Sequence, residues 1–264
     1  MAKMKSNNNI LSTSTLSIGY ASKKERIVIA ENLNLNLEKG KLIALIGANG
    51  IGKSTLLRTL TGIQKPLSGT ISLNDKLLQE YDALALAKEM SLVLTDKLPP
   101  SNLTVFELVA LGRQPYTNWI GKLTEEDFFK INQAMAQTQI NALAHKKHYE
   151  ISDGQLQKVL IARALAQDTD LIILDEPTTH LDLLHKVSVF KLLKTLSHET
   201  GKCILFSTHD IDMAIQLSDE IIVMTPDKVM QDQPCNLISN GSFATLFKDE
   251  HITFDSDKGK FVIQ

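Results

Sequence analysis

The chain has 264 residues, 43% of them hydrophobic and 22% charged, an ordinary balance for a soluble globular protein and enough for a substantial core. A formal net charge of -2 and a pI near 6.4 exclude a global electrostatic drive toward DNA or an anionic bilayer, so no nucleic-acid partner is expected. The two cysteines, Cys203 and Cys235, form no Cys-x-x-Cys pair and have no histidine at metal-ligand spacing; both read as reduced thiols, Cys203 as core.

Residues 1–12 are polar and basic and lack the apolar stretch of a signal peptide. They are expected to form a disordered leader, with 13–264 as a single domain. No apolar run approaches the roughly 18–20 residues that cross a bilayer, so any membrane association is expected to be peripheral. Segments 15–20 and 26–37 alternate apolar and polar residues with a period of two, the pattern of exposed antiparallel strands. Residues 41–46 are nearly continuously apolar, which suits a strand buried on both faces, and they lead through a glycine-rich turn into a helix over 53–60. From about 97 to 156 helical patterns predominate, with a break at Pro99-Pro100. Two further buried strands are expected at 171–174 and 203–207. Between them Leu183, Val187, Phe190, Leu193 and Leu196 recur at helical steps. The fold class is therefore α/β: a mostly parallel sheet with helices on its faces, an antiparallel N-terminal subdomain and a helical insertion.

Residues 47–54 fit G-x-x-x-x-G-K-[ST], placed after a buried strand and at the start of a helix, as a P-loop requires. The glycines let successive backbone N–H groups face phosphate oxygens, and the helix N-terminus adds partial positive charge. Gly47, Asn49, Gly50, Gly52, Lys53, Ser54 and Thr55 are the candidate nucleotide-binding residues. Lys53 would reach the β- and γ-phosphates of ATP, and the Ser54 hydroxyl would ligate Mg²⁺. Asp175 and Glu176 end an apolar strand and so stand at the carboxyl edge of the sheet. Asp175 fits a Mg²⁺ ligand and Glu176 a general base, although acidic pairs also simply end strands. His209 again follows a buried strand and can reach the same edge, where an imidazole would orient water at the γ-phosphate. His145, His148, His180, His185, His198 and His251 share no motif and read as solvated or packing residues.

With these elements in order, Ile151-Ser152-Asp153-Gly154-Gln155 resembles the Leu-Ser-Gly-Gly-Gln signature of the ATP-binding-cassette family, over a match running from about residue 14 to 245. The resemblance implies a P-loop NTPase core, ATP and Mg²⁺, and a homodimer in which each P-loop faces the partner's signature. Ser152, Gly154 and Gln155 would then bind nucleotide in trans, at the start of a helix over 155–167; the same three residues also fit an ordinary capping turn. Tyr20 resembles the aromatic that stacks on adenine, and packing explains it equally well. Leu181-Asp182 resembles the loop that joins the two active sites. Two positions depart from the pattern: Thr95 stands where the family carries a glutamine that touches Mg²⁺, and Asp153 replaces a signature glycine, so its carboxylate is expected to point away from the phosphates.

Residues 111–116, Leu-Gly-Arg-Gln-Pro-Tyr, resemble a segment of cassettes that serve importers of ferric siderophores, haem and cobalamin, although Gly112 and Pro115 also suit a helix end. The resemblance implies integral-membrane permease subunits as partners, an external substrate-binding protein acting indirectly, and a place on the cytoplasmic face of the membrane. The alternative is a regulatory cassette that binds ATP as an interaction module.

Overall fold

The structure, a computed structural model, describes residues 8–22, 25–94, 101–246, 252–256 and 258–263. Strand β1 (Asn9–Ala21) pairs antiparallel with β2 (Arg26–Leu33) along its second half and with β3 (Asn36–Glu38) along its first. Residues 9–12 of the leader expected over 1–12 therefore belong to the fold. Asn9 and Ser12 face Glu38 and Asn36, and Ile10 and Leu11 are buried, so the chain enters the core as soon as the asparagine run ends. Residues 1–7 lie outside the described residues.

Strand β4 (Leu42–Gly47) is buried along its whole length. Leu42, Ala44 and Ile46 face one core, Ile43 and Leu45 the other. Each Leu or Ile so buried contributes about 1.5–3 kcal/mol. Helix α1 (Lys53–Leu60) follows directly and packs into the second core through Leu56, Leu57 and Leu60. Strands β5 (Ser68–Leu73) and β6 (Lys76–Leu77) complete the antiparallel sheet, and α2 (Ala83–Glu89), capped by Asp82, leads to β7 (Met90–Val93).

The helical insertion contains α3 (Val105–Ala110), α4 (Glu125–Gln137) and α5 (Asp153–Ala166), whose N-caps Thr104, Thr124 and Ser152 each form a reciprocal capping box. Because Ser152 is a strong cap, α5 starts at Asp153, two residues before the expected start. A 3-10 helix, Leu111–Tyr116, joins α3 to α4. In it Arg113, 3% exposed, bonds through Nε to Asp127 Oδ1 (2.7 Å) and through Nη1 to the Ala166 carbonyl (2.9 Å), tying all three helices together. Pro99 and Pro100 lie outside the described residues.

The second half contributes β8 (Leu171–Leu174), α6 (Leu183–Thr200), β9 (Cys203–Ser207), α7 (Ile211–Leu217), β10 (Glu220–Met224), β11 (Val229–Asp232), α8 (Pro234–Ser239) and a hairpin of β12 (Ile252–Asp255) and β13 (Lys260–Ile263). Phe190, Leu193 and Leu196 of α6 are buried as expected, but Leu183 is 66% exposed.

Among the described residues the larger sheet runs β11-β10-β4-β9-β8-β7, parallel except for the β10–β11 hairpin. The ends of β4, β9 and β8 are thus neighbours, and these are the ends that carry the P-loop, His209 and the Asp175-Glu176 pair. Ligands of open α/β sheets bind at such a carboxyl edge.

Candidate active site

The P-loop turn is shaped by its glycines. Gly52 has φ +110°, a conformation that side chains rarely adopt, and a Cβ there would stand 2.3 Å from Ile29 Cγ2. At Gly47 a Cβ would meet the Met224 carbonyl oxygen of β10 at 2.6 Å. Asn49 and Gly50 are exposed at the tip of the turn. Lys53, 5% exposed, folds back on the loop and donates to the carbonyls of Gly47 (3.0 Å) and Ala48 (3.3 Å). Burial pushes its ammonium pKa down; the Glu176 and Asp175 carboxylates oppose this without cancelling it. A buried cation held only by neutral carbonyls is well placed to exchange them for phosphate oxygens. Ser54 is half-buried in the first turn of α1, and Thr55 bonds the Tyr20 hydroxyl at 3.0 Å, which holds that half-exposed ring beside the loop.

The parallel register sets Leu174 opposite Phe206, so the two residues that follow β8 meet Ser207. The Ser207 hydroxyl donates to Asp175 Oδ1 (2.6 Å) and accepts the Glu176 N–H (2.8 Å). Asp175 is 5% exposed. Glu176 has φ +48°, which costs a residue with a side chain about 1–3 kcal/mol and aims its carboxylate along the sheet edge. Its Oε1 lies 2.5 Å from His209 Nε2, and its Oε2 accepts from the Thr179 hydroxyl at 3.0 Å. Asp210, next to His209, is gripped by Lys186 Nζ (2.8 Å) and the Thr178 hydroxyl (3.1 Å). Ser207, Thr179 and Lys186 were not singled out from the sequence as site residues; a hydroxyl at a strand end beside an acidic pair is the one local signal available.

Lys53, Asp175, Glu176 and His209 are therefore brought together. Ser54 and Asp175 supply hydroxyl and carboxylate oxygens, the hard ligands that Mg²⁺ takes alongside nucleotide phosphates. Thr95, the third candidate ligand, lies outside the described residues.

Ser152, Gly154 and Gln155 stand apart, at the start of α5. The Ser152 hydroxyl accepts the Gln155 N–H (3.3 Å) while Gln155 Oε1 accepts the Ser152 N–H (3.1 Å), so the capping turn weighed from the sequence is real. Asp153 is exposed, and no hydrogen bond among the described residues joins this turn to the P-loop. On its inner side the turn meets α6. The residue there is His185, whose Nδ1 lies 2.8 Å from Asp182 Oδ2.

A family model described as ABC transporter matches residues 30–179. The achromobactin transport ATP-binding protein of Dickeya dadantii is 39% identical over 233 residues, covering 88% of this chain and 85% of the relative. The iron(3+)-hydroxamate import ATP-binding protein of Bacillus subtilis is 40% identical over 224 residues, 85% of this chain and 82% of the relative. Among solved structures, a metal-chelate type ABC transporter in an inward-facing conformation matches with a TM-score of 0.79 at 29% identity, over 97% of this chain and 96% of that one. A dimeric ATP-binding cassette in a post-hydrolysis state, bound to ADP and Pi, matches with a TM-score of 0.72 at 28% identity, over 85% of this chain and 99% of that one.

Proposed function

Because this chain belongs to the ABC transporter family and is one of its ATPases, we propose that it is the ATP-hydrolysing subunit of an importer for a ferric siderophore or a related metal chelate. The observation that carries this reading is the Glu176 carboxylate, bracketed by His209 and Thr179 beside the buried Lys53 at the mouth of the P-loop. The names of its relatives support the cargo class.

Two copies of the chain, each a single cassette with its helical subdomain at about 97–156, close head to tail on two nucleotides. Each P-loop then faces the partner's Ser152, Gly154 and Gln155. The separation of that turn from the P-loop within one chain and the dimeric relative support this arrangement. Lys53 exchanges the Gly47 and Ala48 carbonyls for β- and γ-phosphate oxygens. Ser54 and Asp175 would hold Mg²⁺, which supplies charge neutralisation at the phosphates when bound. Glu176 accepts a proton from the attacking water as His209 fixes its carboxylate, and the N-terminal N–H groups of α5 face the charge that develops. Tyr20 lies against the adenine. Closure moves permease subunits, which place the chain at the cytoplasmic face of the membrane and receive cargo from an external binding protein. Among the described residues no helix is long and apolar enough to cross a membrane itself.

The test is uptake of labelled iron-hydroxamate by cells in which the chromosomal copy of this chain has been deleted. The chain supplied in trans restores uptake, and Lys53→Ala does not. Full uptake without the chain would assign it elsewhere.

A further inference from the structure

Gly154 is the second residue of α5, and its φ is not in the left-handed region, so its backbone does not demand glycine. What excludes a side chain is an imidazole. A Cβ at position 154 would stand 2.5 Å from His185 Cδ2, 3.0 Å from Cγ and 3.3 Å from Nε2. The ring is half-exposed, and a neighbouring carboxylate holds it against the turn. Asp182, the N-cap of α6, accepts the His185 backbone N–H on Oδ1 (2.9 Å) and lies 2.8 Å from Nδ1 through Oδ2, so one carboxylate fixes both the main chain and the ring of the same residue. The backbone N–H of His185, and then its ring, hold that carboxyl below the ordinary aspartate range. One residue further on, Lys186 grips Asp210 beside His209. The first turn of α6 therefore touches the signature turn with one side chain and the loop of the catalytic histidine with the next.

We propose that His185 is a positioning residue for the signature. Clamped by Asp182, its ring backs the Gly154 turn and sets the direction in which Ser152 and the Gly154 N–H face a nucleotide held by a second copy of the chain. The glycine at 154 is required by this ring. Sequence alone gave His185 no role, because its partner lies 31 residues away on another helix. The proposal rests on the reading of residues 152–155 as a phosphate-binding turn acting in trans.

The test is a double-mutant cycle on the full chain with Gly154→Ala, His185→Ala and both together, reading ATP turnover, ATP affinity of the unassociated cassette, ATP-driven dimerisation and thermal midpoint. Gly154→Ala displaces the ring and the turn and lowers turnover by about 10²-fold, the scale of an ångström-sized misplacement. His185→Ala lowers it by about tenfold, with unchanged ATP affinity of the single cassette and weaker dimerisation. In the double variant the new methyl occupies vacated space, and turnover returns to the level of His185→Ala alone. Equal loss from Gly154→Ala with either residue at 185 overturns the proposal. If Gly154→Ala does not fold, His185→Ala in the Glu176→Gln background decides: an unchanged ATP requirement for dimerisation overturns the proposal, and a raised one supports it. Absence of both turnover and ATP-driven dimers in the wild-type chain would instead sink the underlying reading of the signature.

Discussion

His209 Nε2 lies 2.5 Å from Oε1 of Glu176, linking the end of β9 to the end of β8 across adjacent parallel strands. The other carboxylate oxygen accepts from Thr179, and the backbone of Glu176 is fixed through Ser207. A carboxylate held from both sides and by its own N–H has little freedom to turn, which a base acting on one water molecule needs. His209→Ala is therefore expected to lower ATP turnover by about 10²-fold while leaving nucleotide binding intact. Steady-state hydrolysis beside equilibrium ATP binding checks this; equal losses in both would make His209 a binding residue instead.

Lys53 is a buried cation whose two bonds in this state go to loop carbonyls. Bonds to charged groups contribute about 1.5–3 kcal/mol, so Lys53→Ala is expected to weaken ATP binding by about 10- to 100-fold. Titration with a fluorescent ATP analogue measures it directly. Undiminished affinity would contradict the P-loop assignment.

The Arg113–Asp127 pair is a matter of stability. With side chains 4% and 2% exposed, removal of the cation leaves a buried carboxylate without its counter-charge, held by Thr124, and Arg113→Ala is expected to destabilise the fold by about 3 kcal/mol in chemical denaturation. Burial pushes the Asp127 carboxyl pKa up, but the Thr124 N–H, the Arg113 guanidinium and the Thr124 hydroxyl outweigh it and hold the group below its ordinary value. Its stabilisation is thus complete above the ordinary aspartate range and is lost as pH falls through the depressed value. Acid unfolding should begin at higher pH in Arg113→Ala than in the parent chain.

The two thiols separate cleanly. Burial pushes the Cys203 thiol well above its ordinary range, and Cys235 is exposed. Alkylation of the native protein is expected to label Cys235 alone, with Cys203 reacting only after denaturation. Mass spectrometry of the labelled peptides checks it.

The sequence made the central strands and their chemistry legible because each carries a local signal. The run ending at Ile46, followed by Gly47 and Gly52, marks β4 and α1, and the apolar segments before Asp175 and Thr208 mark β8 and β9. Contacts between distant segments left no such trace. Ser207 on Asp175, Lys186 on Asp210 and His185 on Gly154 depend on which strands lie side by side and where α5 meets α6. Arg113 was read only as part of a segment resembling importer cassettes, whereas its side chain turns inward to Asp127. Composition likewise put the start of the fold at residue 13, whereas Ile10 and Leu11 are already buried in β1.

The central claim is that Glu176 performs hydrolysis in an ATP-closed pair of these chains. The most direct measurement is ATP turnover of the purified chain beside Glu176→Gln, with ATP-driven dimerisation followed by light scattering. The account predicts that the variant loses turnover by about 10²- to 10⁴-fold and accumulates as an ATP-bound dimer. Turnover equal to that of the parent chain would contradict it.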